Sequence, residues 1–125
     1  MLFRSDNNAT APSATLAGLR AVSKNKNTVL IMGGADKGLD MDELLRELPK
    51  YVKKVELLAG SGTDRIKDRL PEAVIHENLE NAVDAALQDA QRGDTILFSP
   101  AFASFGMFQN EYERGDQFTA VVKEL

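Results

Sequence analysis

Short, almost continuously apolar runs punctuate the chain at Thr28 to Met32, Val55 to Ala59, Ala73 to Ile75 and Thr95 to Phe98. Unbroken apolar runs of this length read as strands buried on both faces, and such strands belong to parallel sheets. The intervening stretches carry helical spacing instead. Pro12 opens a helix bearing Leu16, Leu19 and Val22, with Gly18 weakening its interior. Asp40, followed three positions later by Glu43, resembles a capping box before Leu44, Leu45 and Leu48, and Pro49 limits that helix. Asn78 caps a helix whose apolar face is Leu79, Ala82, Val83, Ala86, Leu87 and Ala90, and Gly93 stops it. Asp116 caps a last helix carrying Phe118, Val121, Val122 and Leu125. Strands alternating with amphipathic helices predict an α/β fold: a Rossmann-like, mostly parallel sheet flanked by helices.

Length and charge narrow the classes. The 125 residues fit one domain, and a domain of that size buries roughly two thirds of its unfolded surface, enough for a core without metals or disulfides. A formal charge of -4, with both signs interspersed, gives no electrostatic reason for nonspecific binding to nucleic acid or an anionic membrane. With no cysteine, disulfides and thiolate catalysis are excluded. Met1-Leu2-Phe3 runs straight into Arg4 and Asp6, unlike a signal peptide, and no apolar run approaches a membrane span of roughly 20 residues. A soluble cytoplasmic domain is the expectation.

Candidate chemistry gathers at two strand exits. The first strand signal ends in Gly33-Gly34-Ala35-Asp36-Lys37-Gly38, the last in Ser99-Pro100-Ala101-Phe102-Ala103-Ser104-Phe105. In an open α/β sheet such loops meet at one ligand-binding edge. The glycines let the backbone turn closely while Lys37 projects toward an anion, although neither GxGxxG nor a Walker phosphate loop is present. On spacing alone an ordinary solvated lysine is the plainer explanation of Lys37. Ser99 and Ser104 offer hydroxyl donors, with turn formation and capping as the plainer explanation. Asp6, Asn7, Asn8 and Thr10 suit a polar junction before a helix, and Arg114 either contacts a carboxylate or supports a loop. His76 is the sole histidine and no G-x-S-x-G elbow exists, so a hydrolase triad and an all-protein zinc centre are disfavoured; no catalytic or metal-ligating residue is assigned.

Four motifs in order, Asp6-Asn7-Asn8-Ala9-Thr10, Gly33-Gly34-Ala35-Asp36-Lys37, Ser99 to Ser104 and Glu113-Arg114-Gly115-Asp116, resemble the C-terminal domain of the Mur ligases across nearly the whole chain. The resemblance is greatest to the members that add D-glutamate. It implies that Lys37 engages the incoming amino acid's carboxylate, that Ser104 takes part in amino-acid recognition, that Thr10 lies near the reacting centre, and that Asp6 approaches the nucleotide ribose. Arg114 falls in the fourth motif as a further substrate-binding candidate. Three positions depart from the pattern: Asn8 stands where lysine is common, Gly106 where an acidic residue is usual, and Glu111 where an aromatic residue is.

For an intact parent, the resemblance implies ATP- and magnesium-dependent amide formation between UDP-N-acetylmuramoyl-L-alanine and D-glutamate, through an acyl phosphate, in peptidoglycan precursor synthesis. The family's UDP-binding N-terminal and central ATPase domains are not in the sequence, so residues 1-125 alone are expected to be inactive and to bind no cofactor firmly. The alternative is a noncatalytic α/β module that binds an acidic metabolite or a protein partner at the same polar edge.

Overall fold

The computed structural model describes residues 2–104 and 106–125, so Phe105, which closes the second loop motif, lies outside the described residues. The strands are β1 (Leu2–Ser5), β2 (Thr28–Gly33), β3 (Val52–Leu58), β4 (Val74–His76) and β5 (Thr95–Phe98); the helices are α1 (Pro12–Val22), α2 (Asp42–Glu47), α3 (Ser61–Ile66), α4 (Leu79–Asp89) and α5 (Glu111–Lys123). One five-stranded sheet in the order β1-β5-β2-β3-β4 pairs every neighbour in parallel. The Rossmann-like α/β reading is correct.

The side-chain alternation of β2 explains its unbroken apolar run. Leu30 and Met32 join Leu16, Leu19, Leu44 and Leu48 in one core layer, while Val29 and Ile31 join Leu79, Ala82, Val83 and Phe118 in the other. A central strand covered on both faces has no position where a polar residue is cheap. Each fully buried Leu or Val contributes about 1.5–3 kcal/mol, so the two layers dominate the stability.

Strand β1 escapes the sequence pattern for a physical reason. It is an edge strand, largely exposed, and holds its place by running parallel to β5 with Leu2 beside Thr95 and Ser5 beside Phe98. Helix α3, only six residues long, has too few turns to show a period. Asn78 does cap α4, accepting from Asn81 N–H at 2.8 Å. The Asp40–Glu43 capping box does not form: Met41 is the cap position of α2 and makes no side-chain cap bond, while Asp40 accepts from Asp42 N–H at 2.9 Å in the turn before it. Pro49 sits in the 3₁₀ turn that ends the helix.

The start of the last helix is a correction. Asn110, not Asp116, is the cap: its side chain accepts from Glu113 N–H at 2.9 Å, and Asp116 lies exposed within α5. Gly115 lies inside the helix. Packing favours a glycine there, since a Cβ would stand 2.8 Å from Asn7 Nδ2.

Candidate functional site

Strands β2 and β5 lie side by side, but their exits diverge. The chain leaving β2 leads to α2 in one layer, and the chain leaving β5 leads to α5 in the other. A crevice opens beyond the carboxyl ends of adjacent strands at such a switch point.

Three loops are zippered together around it. Ala35 and Ala103 exchange backbone hydrogen bonds of 2.9 and 3.1 Å, Gly33 N–H donates to Pro100 O at 2.9 Å, and Ala101 N–H donates to Ala9 O at 2.8 Å. The approach is close enough to need glycine at position 34, where φ is +148° and a Cβ would run into the Ala103 carbonyl. Ala101 itself holds a left-handed φ of 65°, a strained conformation of the kind that surrounding structure must enforce.

The result is a cleft of about 300 Å³ whose walls include Thr10 after β1, Lys37 after β2 and Ser104 after β5. Lys37 Nζ donates to Thr10 Oγ1 at 3.3 Å, and Ser104 is 7% exposed. The loop beneath Lys37 is fixed from several sides: Asp36 accepts from Gly38 N–H at 3.0 Å and from Arg65 at 2.8 Å, while its own N–H donates to Ser61 Oγ. The Gly38 amide first, and Arg65 besides, hold the Asp36 carboxyl below its usual range. The remaining wall is Asn110, Glu111 and Tyr112 at the start of α5. Of these, Asn110 carried no sequence signal, because only the fold brings the start of α5 against the other loops.

Asp6 and Arg114 sit behind the cleft. Ser99 Oγ donates to Asp6 Oδ2 at 2.8 Å and lies 2.9 Å from Thr15 Oγ1, tying β5's exit to β1's. Arg114 is fully buried. It donates through Nε to Asn7 Oδ1 at 2.7 Å, through one terminal nitrogen to Asn7 O at 2.8 Å, and through the other to Phe102 O at 2.9 Å. Burial lowers its pKa against the opposing pull of Glu111. Of its two sequence readings, loop support is the one these contacts display. Asn8 is exposed, and Gly106 holds φ +91°, which explains a glycine there on conformational grounds alone.

A second cleft, of about 310 Å³, lies at the opposite end of the strands and includes Lys53 and Arg69. Of its four cations among the described residues, Lys53 and Arg69 are ion-paired, with Asp94 at 2.7 Å and Asp42 at 2.5 Å, and Lys26 and Lys54 are the other two. Among the described residues no group of three His, Asp or Glu side chains could hold a metal ion, and no helix is long and apolar enough to cross a membrane.

Residues 7–102 match the family described as the Mur ligase, glutamate ligase domain. The chain belongs to that family. The glutamate ligase domain is 42% identical over 98% of its length to the UDP-N-acetylmuramoylalanine–D-glutamate ligase of a Roseiflexus species, and 36% identical over its full length to the ligase of that name from Borreliella afzelii. The ligase of Pseudothermotoga lettingae is 33% identical, again over the full chain, so these alignments take in Ser104 and Arg114 beyond the family match. The chain spans 28% to 30% of the length of these three relatives. A crystallised domain from a candidate UDP-N-acetylmuramate:L-alanyl-γ-D-glutamyl-meso-diaminopimelate ligase of Haemophilus ducreyi superposes with a TM-score of 0.56 at 16% identity, covering 95% of this chain and 89% of that one. At that identity the likeness is one of fold.

Proposed function

We propose that this glutamate ligase domain places the incoming amino acid in an ATP-dependent ligase that joins D-glutamate to UDP-N-acetylmuramoyl-L-alanine, a cytoplasmic step of peptidoglycan precursor synthesis. The observation that carries the proposal is the convergence of Thr10, Lys37 and Ser104 on one cleft at the switch point. Lys37 supplies a cation for a carboxylate, Ser104 a hydroxyl donor, and Thr10 a hydroxyl that already holds Lys37 Nζ. Arg114 contributes by fixing the loop that presents Ser104, a positioning role rather than a contact.

The nucleotide and metal belong mainly to the UDP-binding and central ATPase domains of the parent. ATP, when bound there with magnesium, supplies the phosphoryl group that activates the precursor's carboxylate. From this domain Asp6 would meet the ribose: Ser99 occupies one carboxylate oxygen, and the other can accept from a ribose hydroxyl. The domain's own task is orientation of the amine nucleophile and neutralisation of the amino acid's carboxylate, which lowers the entropic part of the barrier. Alone it is inactive, because the activated partner is held elsewhere.

The test is amide formation by the complete parent chain, with the amino acid and the UDP precursor varied separately. Lys37→Ala raises the D-glutamate KM about tenfold or more, the scale of one lost hydrogen bond between charged groups, and leaves the precursor KM within twofold. A parent that consumes no ATP with D-glutamate, or a variant indistinguishable from wild type, contradicts the proposal.

A further inference from the structure

The cleft that receives Lys37 also receives a carboxylate. Glu111 is the first residue of α5, and its position is pinned twice: Asn110 caps the helix in front of it, and its backbone carbonyl accepts from Asn7 Nδ2 at 2.7 Å. Glu111 lines the cleft on the α5 wall, with Lys37 and Ser104 contributed by loops from other strands. Among the described residues the carboxylate enters no hydrogen bond and no ion pair. Arg114, one turn along the helix, feels the Glu111 charge but gives it no hydrogen bond, since its three nitrogens donate to Asn7 and Phe102. Lys37 and Glu111 form no ion pair with each other, yet both line one space of about 300 Å³.

Such a cleft is bipolar. A dicarboxylate without an amino group would meet one favourable and one repulsive wall, whereas an amino acid brings both signs of charge. The carboxylate end complements Lys37 Nζ and the Ser104 hydroxyl, and the ammonium end complements Glu111. We infer that Glu111 is a specificity-determining residue that seats the ammonium group of the incoming amino acid, an inference that rests on the amino-acid site proposed above. An aromatic side chain at this position could only pack beside the substrate's carbon chain. A carboxylate there makes the amino group itself a recognition element, and it orients the nitrogen away from the Lys37 wall.

The experiment compares D-glutamate as substrate with glutarate, the same dicarboxylate lacking the amino group, as a competitive inhibitor of the complete parent ligase. In wild type the D-glutamate KM lies at least tenfold below the glutarate Ki. Glu111→Gln removes the charge with little change of shape, so it raises the D-glutamate KM about tenfold while the glutarate Ki stays level or falls. Glu111→Asp, which keeps the charge, retains most of the preference. The inference is overturned if Glu111→Gln leaves the preference for D-glutamate over glutarate intact, or raises both constants together. If Lys37→Ala still weakens D-glutamate in that outcome, the amino-acid site stands and only the role of Glu111 falls. A parent that forms no amide with D-glutamate overturns both.

Discussion

Arg114 Nε donates to Asn7 Oδ1 across 2.7 Å, joining the last helix to the loop that leaves the first strand, 107 positions away in sequence. Together with its bonds to Asn7 O and Phe102 O, this makes one guanidinium the clasp for two of the three loops that form the cleft. The fork geometry matters, because a single ammonium cannot reach three acceptors in fixed directions at once.

Arg114→Ala therefore destabilises the domain by about 3 kcal/mol, through lost charged hydrogen bonds and unsatisfied acceptors at Asn7 and Phe102. Arg114→Lys recovers less than half of the loss. Urea unfolding of the isolated domain gives the values; a cost under about 1 kcal/mol for alanine would remove the clasp from the account.

Two glycines with left-handed backbone distinguish crowding from strain. At Gly34 a Cβ would collide with the Ala103 carbonyl, whereas at Gly38, φ +72°, nothing lies within 4 Å. Gly38→Ala costs about 1 kcal/mol, the ordinary penalty for that conformation. Gly34→Ala costs at least twice as much, roughly 2–3 kcal/mol, because the β2 and β5 exits must also move apart. Equal melting points for the two variants would contradict the zippered-loop geometry.

A buried acidic group gives the domain a pH signature. Glu56 is 1% exposed and its carboxyl is pushed up to about 8, by burial first and by the neighbouring Asp89 carboxylate besides, with Lys54 opposing. His76 Nε2 lies 2.7 Å from Glu56 Oε1, and burial lowers the histidine's own pKa against the pull of Asp89. One Asp89 oxygen is buried without a hydrogen-bond partner. The folded state holds the Glu56 proton more tightly than the unfolded chain does. Its contribution to stability is thus complete below the ordinary carboxyl value of 4.5 and is lost as pH rises through about 8. The lowered His76 pKa acts in the opposite sense, adding stability as pH rises through 6.5. Glu56→Gln removes the larger effect, so its stability relative to wild type should climb by about 2 kcal/mol between pH 5 and pH 9. Parallel stability curves across that range would show that Glu56 is ionised in the fold.

Much of this architecture was legible in the sequence, and the omissions share a cause. The runs at Thr28 to Met32 and Thr95 to Phe98 announced buried parallel strands because both of their faces are covered by helices. Edge strand β1 has one open side and a mixed composition, so its pairing with β5 left no local trace. In the site, Thr10, Lys37 and Ser104 were recognisable from their motifs, and the cleft brings them together. Asn7 stands in the sequence as part of a polar junction and of the first motif, and its partnership with Arg114 exists only after the chain has closed on itself. Asp116 is a cap-type residue just ahead of the apolar positions of α5, but the helix already starts one turn earlier, behind the Asn110 cap.

The central claim is that Lys37 and Ser104, delivered by the exits of different strands, bind one and the same amino acid. A double-mutant cycle on the D-glutamate kcat/KM of the complete parent ligase, using Lys37→Ala, Ser104→Ala and the pair, measures this directly. Groups that share a ligand are coupled, so the double variant should lose less than the two single losses combined, with an interaction energy of about 1 kcal/mol or more. Losses that add within about 0.3 kcal/mol, or single variants that affect only the UDP precursor, would show that the two side chains do not hold a common amino acid.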